Sequence, residues 1–182
     1  MIRILSASLI AAVALFFWGF VFWTVIEPTV GVIQTAPDES TLAADIARGL
    51  QEEGTYFLPT DTSDMDAWQR RHEAGPLVTV MFKPEGAKAM DPAVMVRGFV
   101  HMLVSILLAA FLLRWIARYL GSYKQRLGFM VWLGLIEAIF SNLGRPIWYF
   151  QPWDYHLLQA AYTLTSWTLV GAILAWFLHG DT

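Results

Sequence analysis

Four stretches of this chain run for about 20 residues with almost no charge, at residues 4–26, 94–113, 127–147 and 157–178. A hydrocarbon core of roughly 30 Å takes about that much helix to cross. Apolar residues bunched at this length, rather than spaced as in a soluble core, exclude a water-soluble enzyme and predict a polytopic membrane protein. The balance of 57% hydrophobic to 15% charged residues is also too apolar for an ordinary soluble domain. Abundant aromatics, glycines without a three-residue period and the absence of Cys exclude disorder, collagen and a disulfide scaffold. Without Cys there is no thiolate catalysis, no iron–sulfur cluster, no Cys-ligated zinc and no c-type haem attachment.

The expected fold class is membrane all-α: a bundle of four transmembrane helices with a small extracytoplasmic α/β insert between helices 1 and 2. Residues 1–27 hold the first helix, 28–92 the insert and 93–182 the other three helices, with a basic cytoplasmic loop at 114–126. The first span resembles a signal peptide at its start, where Arg3 precedes an apolar run. That run continues through Phe16, Phe17, Trp18, Phe20, Phe22 and Trp23, and the residues after it offer no small-x-small cleavage site. It therefore reads as a retained anchor, with lipid as the default surroundings of its bulky half.

Orientation follows from the short links. Arg114, Arg118, Lys124 and Arg126 stand between the second and third spans without an acidic residue, and Arg3 stands at the N-terminus. Both faces are expected in the cytoplasm. The segment from Glu27 to Arg97 holds twelve acidic against six basic residues and is expected outside, in a bacterial inner membrane. Trp148, Tyr149, Trp153 and Tyr155 crowd the short link before the fourth span, as amphipathic rings do at the headgroup level.

The insert reads as strand, helix, strand, helix, strand. A β-branched run covers 30–35, and 38–53 places Leu42, Ile46 and Leu50 at steps of four with Gly54 as a left-handed stop. Thr55 to Leu58 is a second strand ended by Pro59. Ser63 or Asp64 caps a helix containing Met65, Trp68 and His72, which Gly75-Pro76 ends, and 77–82 is the strongest strand. That order favours a small mixed or parallel sheet with right-handed crossovers around a core of about a dozen side chains. Such a unit leans on the membrane helices or on a partner for stability. Asp91 followed by Pro92 is a cap and first-turn proline launching the second span.

Ionisable groups at membrane depth are costly, so each needs a partner or a task. Glu137, Ser141 and Arg145 follow one another at steps of four on the third span, which puts them on one helix face, expected to look inward. His101 on the second span, Asn142 on the third, and Gln159 and Tyr162 on the fourth are expected in the same leaflet as one polar cluster. The preferred reading is helix–helix glue centred on Glu137. The alternatives are a quinone or lipid headgroup site made by His101, Asn142, Arg145 and Tyr162, a proton or ion route through Glu137, as in a small transporter, and haem b held by His101 and His156. His156 lies at the start of its span and His101 well inside, which weighs against haem. No cofactor is therefore expected.

Other chemistry lacks its motifs. There is no phosphate-binding glycine loop, no His-Glu-x-x-His and no Gly-x-Ser-x-Gly. Asp61, Asp64 and Asp66 lack the glycine and distal Glu of a calcium loop and read as helix caps. Arg70-Arg71 is too short for a nucleic-acid patch, so no nucleic acid is expected. Gly134 and Ala138, and likewise Gly171 and Ala175, stand four apart and permit close helix approach. The expected partners are the lipid bilayer and other membrane-protein subunits. The expected function is that of a non-catalytic accessory or assembly subunit of a larger energy-converting or transport complex, with a quinone- or haem-binding redox protein as the alternative.

Overall fold

A computed structural model describes residues 1–179. The chain divides into two compact units, a helical one formed by Met1–Ile33 with Met90–Thr182 and a smaller one at Gln34–Ala89. Four helices are long and apolar enough to cross a membrane, at Ile2–Val25, Pro92–Tyr119, Tyr123–Tyr149 and Trp153–Phe177. The chain is thus a multi-pass membrane protein by the length and composition of its helices.

The first span is helix α1 (Ile2–Phe20) ending in a wider π-helical stretch at Val21–Val25. In the smaller unit come α2 (Glu39–Gly49), β1 (Gly54–Leu58), α3 (Met65–Ala74) and β2 (Val78–Phe82). The remaining spans are α4 (Pro92–Ile116), then α5 (Tyr123–Glu137), a π-helical stretch at Ala138–Leu143 and α6 (Gly144–Tyr149), and finally α7 (Trp153–Phe177). Two of the four spans, α4 and α5, start where side chains satisfy the free N–H groups of a first turn. Asp91 accepts from the Ala93 N–H at 2.9 Å with Pro92 beside it. Ser122 and Gln125 form a reciprocal capping box at 3.2 and 3.1 Å.

Small side chains organise the helical core. Ala7, Ser8, Ala11 and Ala12 of α1 are buried, and so are Ala109, Ala110 and Leu113 of α4, Met130 of α5 and Leu174 of α7. Without bulk at the contact, the backbones approach closely, which is how helices associate where lipid removes the hydrophobic drive. Helix α1 packs on α4 and α7, and α5 packs on α7. Gly134 lies directly against Trp167, and a Cβ added at Gly171 would stand 2.6 Å from the Met130 Cβ. Consecutive helices α4 and α5 make at most marginal contact, which leaves the bundle open on that side.

The bulky half of α1 is only in part open to lipid as expected: Phe17 and Phe20 are exposed, but the other rings turn to neighbouring spans. Phe16 meets Phe99 edge-on at 6.0 Å, the Trp18 indole N–H donates to Thr165 at 3.3 Å, and Phe22 and Trp23 lie 5.0 and 5.1 Å from the Tyr162 ring. Aromatic edges and faces find one another here because Gly19 leaves room beside the Tyr162 hydroxyl.

The segment expected as an insert, residues 28–92, differs from the sequence reading in four ways. Residues 30–35 form no strand: Gly31 sits at φ 83°, and turn hydrogen bonds from Val32 and Ile33 to the Thr29 carbonyl hold the segment. The two strands pair antiparallel, Gly54 opposite Phe82 and Tyr56 opposite Val80, so no parallel crossover exists. Gly54 opens β1 rather than stopping a helix, because α2 already ends at Leu50 in extended conformation. The expected core is absent as well. No residue from 34 to 89 is buried. Local signals nonetheless stand where expected: Asp64 caps α3, and Gly75 ends it at φ 67°; Asp38 caps α2 in the same way.

Candidate functional site

The open side of the bundle contains a cavity of about 290 Å³, with Leu15 of α1 at its edge, His101 and Ser105 of α4 on one wall, Glu137 of α5 on another and α7 behind. Tyr162, Thr163, Ser166 and Trp167 supply the polar groups of the α7 side. At 1.5 Å per residue, Glu137 stands about 18 Å from the Tyr149 end of its span and about 21 Å from the Tyr123 end. His101 stands about 14 Å from the Pro92 end of its span. The cavity therefore lies well within membrane depth.

Each polar group has a defined state. The Trp167 indole N–H donates to Glu137 Oε2, so the carboxyl group is tied to the neighbouring span. The Ser105 hydroxyl donates to the His101 carbonyl one turn back, at 3.0 Å. The Ser166 hydroxyl is buried without a hydrogen-bond partner among the described residues. His101 and Glu137 are exposed, which opens the cavity on the side of the bundle.

Of the residues singled out from sequence, the cavity brings together His101, Glu137 and Tyr162. The expected inward face of Glu137, Ser141 and Arg145 does not form. All three are exposed, and Arg145 lies over the Tyr149 ring at 5.8 Å. The physical reason is the π-helical stretch at Ala138–Leu143: it adds a residue to the turn, so steps of four no longer stay in phase. Of the remaining amides, Asn142 bonds a cavity-lining residue, Thr163, while Gln159 stays outside the cluster. Asn142 donates to the Thr163 hydroxyl at 3.2 Å, and Gln159 donates to the Tyr155 hydroxyl at 2.9 Å. His156 is buried with its Nε2 2.7 Å from Gln151 Oε1, away from the cavity that His101 lines. Gly134, Ala138, Gly171 and Ala175 are all buried, with Gly134 against Trp167 and Gly171 against Met130.

Ser105, Ser166 and Trp167 escaped the sequence reading although a signal existed. Ser105 follows His101 by four, Ser166 follows Tyr162 by four, and Trp167 follows Thr163 by four, which are same-face spacings on a helix. A fourth missed residue is Arg126, read from sequence as a charge of the cytoplasmic loop. It is buried, and its guanidinium donates to the carbonyls of Ala175 at 3.1 Å and Leu120 at 3.0 Å. Among the described residues no group of three His, Asp or Glu could hold a metal ion. Set against known proteins, the chain matches no family model, no curated protein and no solved structure.

Proposed function

We propose that the chain is a non-catalytic accessory or assembly subunit of a larger energy-converting or transport complex in a bacterial inner membrane. Both termini lie in the cytoplasm in this reading, and the 34–89 unit is the part that meets the partner outside. One observation carries it: that unit has no buried side chain while Phe57, Leu58, Met65 and Met81 are exposed. Fifty-odd residues without a core do not offset their conformational entropy, so a neighbouring surface has to complete the unit. The acidic balance of 28–92 and the four basic residues of 114–126 support the orientation.

Photocrosslinking in native membranes tests this. A benzophenone amino acid at Met81, exposed on β2, is expected to give one discrete adduct with another membrane polypeptide. The same probe at Trp115, exposed on α4, is expected to give lipid adducts only. If instead the purified chain alone protects the β1 and β2 amides from hydrogen exchange as strongly as those of α1, the unit needs no partner and the proposal fails.

A further inference from the structure

Helices α4 and α5 are joined by a short link and run antiparallel, an arrangement that normally ends in mutual packing. Here they stay apart, and the gap between them holds the cavity lined by His101, Glu137 and Ser166. The chemistry of its occupant can be read from four properties. It comes from the hydrocarbon, because the opening lies at mid-span depth. It is neutral, because a charge at that depth costs several kcal/mol. Its polar part is about one ring in size, because about 290 Å³ is at the lower end of ligand pockets and too small for a whole lipid. It forms hydrogen bonds at two opposite edges, because the polar groups come from facing walls.

The walls are specific. Glu137 Oε2 is engaged by Trp167, which leaves Oε1 to accept from an occupant's hydroxyl or, as the acid, to donate to its carbonyl. The His101 ring has no hydrogen-bond partner among the described residues, and an imidazole donates from one nitrogen and accepts at the other, so it serves a carbonyl or a hydroxyl alike. Tyr162 and Trp167 add flat aromatic surface on the α7 side. We infer that this cavity binds the head ring of a membrane-dissolved quinone or quinol, one oxygen toward His101 and the other toward Glu137, with the isoprenoid tail leaving through the open side into lipid. The inference stands independently of whether the chain is an accessory subunit.

The test uses the purified full chain in lipid nanodiscs, with a one-isoprene ubiquinone and its quinol as probes and geraniol as the tail-only control. Calorimetry is expected to show one saturable site for the ring probes and none for geraniol. His101→Ala and Glu137→Leu are each expected to weaken Kd at least tenfold. Met102→Trp, which fills the cavity without removing a polar group, is expected to abolish binding, while Ser8→Ala, buried in α1 away from the cavity, leaves Kd unchanged. An azidoquinone photolabel on the unaltered chain decides the site without any variant: label at 15, within 101–106, at 137 or within 162–170 supports the inference. Label elsewhere, geraniol binding as tightly as the ring probes, or no saturation by either probe overturns it.

Discussion

The two units of this protein spend their apolar residues in opposite ways. In the helical unit the buried side chains are mostly small, with Ala7, Ala11 and Ala110 wholly enclosed, and many of the large ones, such as Phe140 at 85% and Trp176 at 72%, are exposed. In a bilayer that pattern is favourable, since lipid solvates the outer rings and close backbone approach supplies the packing. In the 34–89 unit Phe57, Leu58, Met65 and Met81 are exposed too, Tyr56, Trp68 and Phe82 are only partly covered, and nothing small is enclosed to let elements approach. The lesson is that exposure of a large apolar side chain carries no meaning until the solvent is known: beside α7 it is ordinary, on β2 it calls for a partner.

The sharpest way to break this comparison is to substitute glycine in each unit. Gly171→Leu drives a side chain into the Met130 Cβ, 2.6 Å from where its own Cβ would sit, across the most extensive helix pair of the molecule. Overpacking of this kind costs about 1–3 kcal/mol and more when backbone has to move. Loss of the folded chain from detergent solution at room temperature is expected, read by size-exclusion chromatography and near-ultraviolet circular dichroism. Gly49→Ala, at the end of α2 with no atom within 4 Å of the added Cβ, is expected to leave unfolding unchanged or raise it slightly. Equal effects at the two positions would mean that the small unit is packed as tightly as the bundle.

A smaller effect is expected at Arg126, which fastens the start of α5 to the end of α7. Arg126→Met keeps the length and the apolar stem but leaves the Ala175 and Leu120 carbonyls without their donor. Unpartnered buried acceptors cost about 1–3 kcal/mol. Thermal unfolding in detergent is expected to shift down accordingly, with the exchange rates of α2 and α3 amides unaltered. If those small-unit amides change with it, the two units are energetically coupled and the comparison has to be redrawn.

Arg126 also marks where sequence reasoning stops. Four spans, the Asp91-Pro92 start of α4 and the cap at Asp64 were legible because each is a local signal: length in an apolar run, or an acceptor just ahead of a free N–H. The antiparallel pairing of Gly54 with Phe82 was not, since strand order depends on which partners exist, and residues 30–35 turned out to contribute none. Within the site, His101, Glu137 and Tyr162 stood out as costly or polar groups at membrane depth, and all three meet in the cavity. Ser141 and Arg145 were misplaced because a single π-helical stretch resets helix phase, and no composition signal announces it. Arg126 was misread because a charge near a span end is usually solvated. Only the fold reveals two carbonyls waiting for it.

The smallest expected effect is also the one that separates the units most cleanly, because it needs no substitution. Asp38 accepts from the Thr41 N–H at 3.0 Å and from the Ser40 hydroxyl at 2.9 Å, and these bonds, the Thr41 N–H foremost, hold its carboxyl below the ordinary aspartate range. Asp61 is lowered in the same direction, chiefly by the Ser63 hydroxyl, then by the Ser63 N–H and the nearby Arg71. A carboxyl depressed in the folded state contributes stability that is complete above its unfolded value and is lost as pH falls from that value through the folded one. Both residues belong to the 34–89 unit. Acidification across and below the ordinary aspartate range is therefore expected to lower the protection of α2 amides such as Leu42 relative to their intrinsic exchange at each pH, while Leu174 in the helical core stays protected. Asp38→Asn keeps the cap but does not titrate, so it is expected to preserve α2 at neutral pH and to remove its share of the acid response. If α1 and α2 instead loosen together on acidification, the response is not carried by the caps, and the small unit owes its order to the helical one.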